Sequence, residues 1–192
     1  NGQFVSNFGK IGPWYYGTID RKYQLFKYSE LCFLKAIAIE RGLIAGNAKD
    51  AYEAGVRSNM AEFDIPEAVI TDYLASTAPN YYGTTAKYDD TTGDCNTHMD
   101  KILTQKYIAQ FQECSFETWA DHRQFHKPTL MPFASVSSSV FTMNPADQAN
   151  NTPNAYVKRI YYPSSEYTVN AANVKEAESR MGGTNSIQNN VW

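Results

Sequence analysis

Two histidines spaced four apart, His122 and His126 in the run His-Arg-Gln-Phe-His, have the spacing that sets two imidazoles on one helix face, as in the zinc-protease motif H-E-x-x-H. The glutamate position is held by Arg123. That removes the base that would activate a metal-bound water and places a cation beside the metal. Packing and hydrogen bonding near Trp119 is the preferred reading of the pair, and a metal-dependent hydrolase stands as a third function class. Asp89, Asp90 and Asp94 could gather oxygens for calcium, but their spacing is not that of the twelve-residue EF-hand loop, and a solvated acidic turn accounts for them. The serines at 137–139 lack the glycines of a nucleophile elbow, and no glycine-rich phosphate loop occurs. No sequence feature pairs two carboxylates for glycoside hydrolysis. Cys32, Cys95 and Cys114 are odd in number and irregular in spacing, which suits neither a zinc site nor a disulfide framework. These residues imply neither an enzyme nor a cofactor.

Aromatic side chains offer different chemistry. The chain has 14 tyrosines in 192 residues, about twice the ordinary share. A phenol ring has an apolar face that can stack on the C–H face of a pyranose, while nearby Asn or Asp groups bond the sugar hydroxyls. The groups that could form such a platform are Trp14-Tyr15-Tyr16, the pair Tyr81-Tyr82, and Tyr88. Tyr81, Tyr82, Tyr88, Trp14 and Tyr16 are therefore the candidate ligand-binding residues. The competing reading makes Trp14 and Tyr15 anchors of the N-terminal segment and the other tyrosines part of a Tyr-rich core.

The elements that would position these rings are mostly helical. Residues 1–25 form an extended lead-in. From Phe26 to about Ile44 an apolar face of Phe26, Phe33, Leu34, Ile37, Ala38 and Ile44 predicts a helix ended by Gly46. Asn47 is placed to cap a second helix with Ala48, Ala51, Tyr52, Gly55 and Phe63 on one face. The small-aromatic-small spacing of Ala48, Tyr52 and Gly55 resembles the second helix of a tetratricopeptide repeat. Pro66 suits the first turn of a third helix carrying Val69, Ile70, Tyr73 and Leu74 inward and ending near Ser76. Residues 77–96, with their threonines, glycines and tyrosines, predict a long exposed loop. Thr97 should cap a fourth helix with Leu103, Tyr107, Ile108 and Phe111 inward, and Ser115 a fifth through Phe116, Trp119 and Arg123. Helical patterning covers 26–126 and stops there. Residues 127–192 form a loop-rich closing segment with a serine cluster at 135–139, a polar run at 144–154 and a strand at 157–161. A last helix follows, capped by Asn170, carrying Val174, Ala177 and Met181 and closed by Gly182-Gly183.

Charge and hydropathy exclude two partner classes. The formal net charge is −3 with both signs interspersed, so no basic stripe exists for nucleic acid. The longest apolar run, 31–39, is broken by Lys35 and too short to span a bilayer. The chain opens on Asn1 without a signal peptide, and both ends read as cuts in a longer protein.

Three stretches in order carry a resemblance. The first is Tyr28-Ser-Glu-Leu-Cys-Phe-Leu-Lys-Ala36 with Arg41-Gly42 and the helix from Ala51-Tyr52 through Gly55 to Met60. The second is Lys101-Ile-Leu-Thr-Gln-Lys106 with Glu117-Thr-Trp-Ala-Asp-His-Arg123. The third is Arg159-Ile-Tyr-Tyr-Pro163 with Glu166, Asn170, Asn173 and Gly182-Gly183. Together they resemble the C-terminal part of the SusD/RagB-like outer-membrane lipoproteins. That resemblance implies a mainly α fold, a tetratricopeptide-like α-α superhelix with long irregular loops and minor β structure in the C-terminal part, treated as a single domain or a fragment of one. It also implies a non-catalytic, lipid-anchored protein on the outer face of the outer membrane. Such a protein captures an oligosaccharide for a TonB-dependent, SusC-like transporter, and its lipidated cysteine belongs to the missing N-terminal part. The main alternative is a tetratricopeptide-like module that binds protein or peptide and no sugar. Glu30, Arg123, Arg159 and Glu166 match family positions and are expected to form internal salt bridges and caps.

Overall fold

A computed structural model of the protein describes residues 24–111, 114–128, 159–186 and 189. These form helices α1 (Tyr28–Glu40), α2 (Ala48–Ala61), α3 (Glu67–Ala75), α4 (His98–Ala109), α5 (Ser115–Phe125), α6 (Glu166–Val169) and α7 (Ala171–Arg180). The mainly helical expectation holds. No strand occurs among the described residues: 157 and 158 lie outside them, and Arg159, Ile160 and Tyr161 are irregular. The serine cluster at 135–139 and the polar run at 144–154 also lie outside.

Helix α1 stops earlier than its apolar pattern. Gly42, at φ +68°, takes the left-handed position. The Gly42 N–H then bonds the Ile39 carbonyl and the Leu43 N–H the Ala38 carbonyl, both at 2.9 Å, which is a Schellman ending. Gly42, and not Gly46, therefore ends the helix. Leu43 and Ile44 continue the apolar run but lie exposed beyond that stop. The buried stripe of α1 is Ser29, Cys32, Phe33, Ala36 and Ile37, whereas Phe26 and Leu34 face outward. The expected face spanned two stripes of the cylinder, and packing against α2 and α4 selected one.

Helix α2 follows its pattern closely. The Asn47 side chain accepts the Lys49 N–H at 3.0 Å, and Ala48, Ala51, Tyr52, Gly55 and Val56 are buried. At Gly55, α2 packs directly on the Phe33 ring of α1. A Cβ there would sit 2.7 Å from the ring of Phe33, which is itself fully buried, so the ring has nowhere to retreat. Phe63 lies past the helix end, where Asp64 at φ +56° closes the turn.

In α3, Pro66 precedes the first helical residue, and Ile70 and Leu74 turn inward while Val69 is half exposed. Helix α4 carries the full capping box. The Thr97 hydroxyl accepts the Asp100 N–H at 3.2 Å and the Asp100 carboxylate accepts the Thr97 N–H at 3.0 Å. Ile102, Leu103 and Ala109 are buried, but so are Lys101, Thr104, Gln105 and Lys106, because α4 is covered on several sides. Ile108 and Phe111 point outward, contrary to the expected inward face. Ser115 is the first residue of α5, with Cys114 before it, and so does not cap it. Phe116 is exposed, while Arg123 lies 4.4 Å over the Trp119 ring.

One core joins α1, α2, α3 and α4 through Phe33, Ile37, Tyr52, Val56, Ile70, Leu74, Ile102 and Leu103. Buried charges frame it. Lys106 pairs with Glu30 at 3.7 Å and with Asp121, and Gln110 donates to Glu30 at 3.2 Å, tying α1, α4 and α5 together. Lys27 pairs with Glu62 at 2.9 Å. The internal role expected of Glu30 is what the structure gives it.

The closing unit, α6 and α7, is held by its own polar network. Arg159 donates to Asn185 at 2.6 Å and lies 4.4 Å over the Tyr162 ring. Tyr167 donates to Glu178, which also accepts the Asn185 N–H. Asn170 takes the N-cap position of α7 as expected, but its side chain accepts no backbone N–H of the helix. Its side-chain oxygen accepts from the Asn173 amide at 2.6 Å, and its own amide donates to Glu166 at 3.1 Å. Gly182, at φ +77°, ends the helix as expected.

Candidate functional site

The candidate site is the segment between α3 and α4, a loop exposed over much of its length, as expected, but built around a buried centre. Its centre is core: Thr84, Thr85, Ala86, Tyr88 and Asn96 are all buried. Backbone groups in such a place need partners, and each anchor can be named. The Lys87 N–H bonds the Ser76 carbonyl at 3.0 Å, closing the loop at its neck. The buried Tyr52 hydroxyl of α2 donates to the Ala86 carbonyl at 2.8 Å. Burial drives the Tyr52 phenol far above its ordinary pKa, so the group is a permanent neutral donor.

Asn96, with no exposed surface, is the hub. Its carbonyl oxygen accepts the Thr85 N–H at 2.8 Å, and its amide donates to the carbonyls of Asp90 at 2.8 Å and Thr92 at 3.0 Å. Beside it the fully buried Lys101 ammonium reaches Asn96 Oδ1 at 2.5 Å, Thr85 Oγ1 at 2.5 Å and the Thr85 carbonyl at 3.1 Å. Burial pulls the Lys101 ammonium below the usual lysine range, against the opposite pull of Asp90 and Asp100.

Tyr88 departs from its expected role. Its ring stacks on His98 at 4.2 Å between centroids and packs on Tyr52 at 5.3 Å, and its hydroxyl donates to Glu40. With 5% of its surface exposed it has no face left for a sugar. Burial, then the Glu40 carboxylate, holds this phenol well above its ordinary pKa.

Tyr81 and Tyr82 are placed differently. They sit in a tight turn closed by Asn80, whose side-chain oxygen accepts the N–H groups of Tyr82 at 2.9 Å and Thr84 at 3.1 Å. The Asn80 amide donates to the Thr84 hydroxyl at 2.8 Å. Gly83, at φ +81°, completes the turn. The Tyr82 ring meets Tyr107 of α4 edge-on at 5.8 Å, and Tyr81 meets Tyr82 edge-on at 5.6 Å. Three rings thus step outward from a helix, and the outermost, Tyr81, is 66% exposed. This arrangement can offer an aromatic edge and face to a flat partner.

The other chemical candidates are absorbed locally. Asp89 pairs with Lys49 at 2.5 Å, and Asp90 accepts the Thr92 hydroxyl at 2.6 Å; these contacts hold both carboxyls below their ordinary pKa. No group of three or more His, Cys, Asp or Glu able to hold a metal occurs among the described residues. Trp14, Tyr15 and Tyr16 lie outside the described residues. Two open grooves lie elsewhere: one of about 310 Å³ between α1 and α2, bounded by Tyr28, Leu31, Lys35, Asn47 and Asp50, and one of about 400 Å³ on the closing unit, bounded by Tyr162, Glu166, Asn170, Asn173 and Val174.

Sequence reasoning missed Asn96, Thr85 and Lys101, because inward polar residues leave no apolar period. The one available signal was the length of the connection: some 20 residues without helix or strand are uncommon unless they carry structure of their own.

Comparison with known proteins agrees with this architecture. No curated protein matches the chain. Among solved structures, a SusD homologue from Parabacteroides distasonis is 38% identical, with a TM-score of 0.69 over 88% of this chain and 32% of its own. A chitin-binding protein is 27% identical, with a TM-score of 0.57 over 86% of this chain and 32% of its own. A SusD-like protein described as Bacteroidetes AC2a is 26% identical, with a TM-score of 0.61 over 86% and 29%. The chain therefore spans about a third of the length of the structures it matches. No described helix is long and apolar enough to cross a membrane. A family model for the SusD and RagB outer-membrane lipoproteins matches residues 12–192, and the chain belongs to that SusD-like family.

Proposed function

We propose that this chain is the C-terminal part of a non-catalytic, lipid-anchored glycan-binding protein. It would stand on the outer face of the outer membrane and pass oligosaccharide to a TonB-dependent, SusC-like transporter. Membership of an outer-membrane lipoprotein family supports the location, and the chitin-binding relative supports the ligand class. The single observation that carries the reading onto this chain is the exposed Tyr81 ring on its rigid turn, backed by Tyr82 and Tyr107. A fixed ring loses little entropy when a sugar stacks on it, and an open platform admits a chain longer than a pocket would hold. The chemistry expected is recognition without bond cleavage.

Isothermal calorimetry on the full-length protein with chito-, malto- and xylo-oligosaccharides tests this directly. Binding of one series, weakened about tenfold by Tyr81→Ala, is the expected result; that factor corresponds to about 1.4 kcal/mol. A second reading, a peptide- or protein-binding helical module, draws on the exposed Leu25, Phe26, Tyr28 and Leu31 beside the α1–α2 groove. Tight peptide binding with no response to any glycan would favour it and overturn the first.

A further inference from the structure

We infer that Lys101 is a positioning residue for the tyrosine turn, a buried ammonium that fixes the loop in the shape that presents Tyr81 and Tyr82. The inference deepens the glycan-platform reading and rests on it for the purpose of the turn, though not for the mechanics. Lys101 has no exposed surface, and no carboxylate among the described residues lies within ion-pair distance of it. A buried charge with no carboxylate in direct contact is unfavourable unless dipoles replace its water shell. Here three oxygens do so: the Thr85 carbonyl, the Thr85 hydroxyl and the Asn96 side-chain oxygen, at 3.1, 2.5 and 2.5 Å. An ammonium has three N–H donors and nothing else to give, so the match is complete.

All three acceptors belong to the loop, and none belongs to the helices around it. The Lys101 ammonium therefore makes no bond to the helical scaffold itself. It joins α4 to Thr85, and Thr85 follows Thr84, whose N–H and carbonyl are bonded to Asn80. Asn80 in turn closes the turn over Tyr81, Tyr82 and Gly83. Six residues further along the same helix, Tyr107 supports the Tyr82 ring. Helix α4 thus grips the platform at two points, by charge at Lys101 and by a ring at Tyr107. A leucine or methionine at 101 would fill the same space and take the ammonium's three bonds from the Thr85 and Asn96 oxygens.

Hydrogen exchange by mass spectrometry on the full-length protein, without ligand, tests this. Lys101→Met should speed exchange in the peptide covering residues 80–96 by tenfold or more, while α1 and α2 stay within twofold of the parent. Unchanged exchange in that peptide, or equal acceleration in every helix, would overturn the inference. Should Lys101→Met fail to fold, Thr85→Val decides, since it removes one acceptor and keeps the ammonium: acceleration confined to 80–96 supports the inference and its absence overturns it. Titration with chitohexaose and maltohexaose forms a separate arm. If the parent binds either sugar, Lys101→Met should weaken it at least fivefold, and adding Tyr81→Ala should cost little more; an unchanged affinity overturns the positioning role. If the parent binds neither, the glycan reading fails on its own, and exchange still decides whether Lys101 fixes the turn.

Discussion

The α1–α2 hairpin and the α3–α4 connection each have a fully buried centre, reached by opposite means. In the hairpin, Phe33 and Tyr52 have no exposed surface, and Gly55 lets the two backbones approach until the Phe33 ring fills the gap. The connection is just as inaccessible at Asn96 and Lys101, yet its centre is amide, hydroxyl, carbonyl and ammonium. Apolar burial is non-directional and scales with the area removed from water. A buried polar network is directional, and each member left without a partner is costly. The hairpin is therefore suited to be scaffold. The connection is suited to hold two tyrosines at a fixed angle.

The comparison breaks most visibly at Phe33. Removing its ring from a fully packed site should lower unfolding free energy by about 3–5 kcal/mol, measured by urea denaturation. Because α1 touches both α2 and α4, the loss should appear in exchange from all three helices. Asn96→Leu keeps the volume close but strips the hub from Thr85, Asp90, Thr92 and Lys101. We expect a loss of roughly 2–3 kcal/mol, with faster exchange centred on residues 80–96. If Asn96→Leu instead loosened α2 as much as the connection, the two regions would be one cooperative unit and the contrast would fall.

Legibility in the sequence follows the same division. The buried face of α2 was readable because Ala48, Ala51, Tyr52 and Gly55 repeat at helical spacing and nothing in the environment contradicts them. Thr97 was readable as a cap because its bond is local, reaching only Asp100. Gly42 was hidden by the apolar Leu43 and Ile44 behind it, since a Schellman ending is decided by one left-handed residue and not by hydropathy. Tyr88 and Tyr81 look alike in sequence, seven residues apart in one Tyr-rich stretch. Their fates separate only because His98 and Glu40, distant in sequence, close over Tyr88. Contacts of that range leave no periodic trace.

A smaller effect is expected where the connection meets α4. Thr97→Ala removes the cap and should cost about 1 kcal/mol at neutral pH. Burial pushes the Asp100 carboxyl up, but the Thr97 hydroxyl and N–H and the Lys127 ammonium at 2.9 Å outweigh it and hold it below the ordinary aspartate value. A depressed folded pKa contributes stability above the unfolded value and loses it as pH falls through the folded one. The gap between parent and Thr97→Ala should thus be full at pH 7 and narrow below about pH 4. A gap that stayed constant across that range in thermal melts would show that Asp100 takes no part in the cap.

The smallest effect on the fold, and the sharpest on the contrast, belongs to Tyr81. Its ring is 66% exposed and touches the body of the protein through Tyr82. Tyr81→Ala should leave the unfolding free energy within about 0.5 kcal/mol of the parent, since a surface ring contributes little to folding. Tyr88→Phe, which removes only the hydroxyl bonded to Glu40, should cost roughly 1 kcal/mol and spare any ligand. The two tyrosines then trade places in the two assays: Tyr81 is silent in urea and audible in calorimetry, and Tyr88 the reverse. Equal effects of both substitutions on stability would mean that Tyr81 is part of the packed core in the full-length protein, and the aromatic platform would have to be sought on another surface.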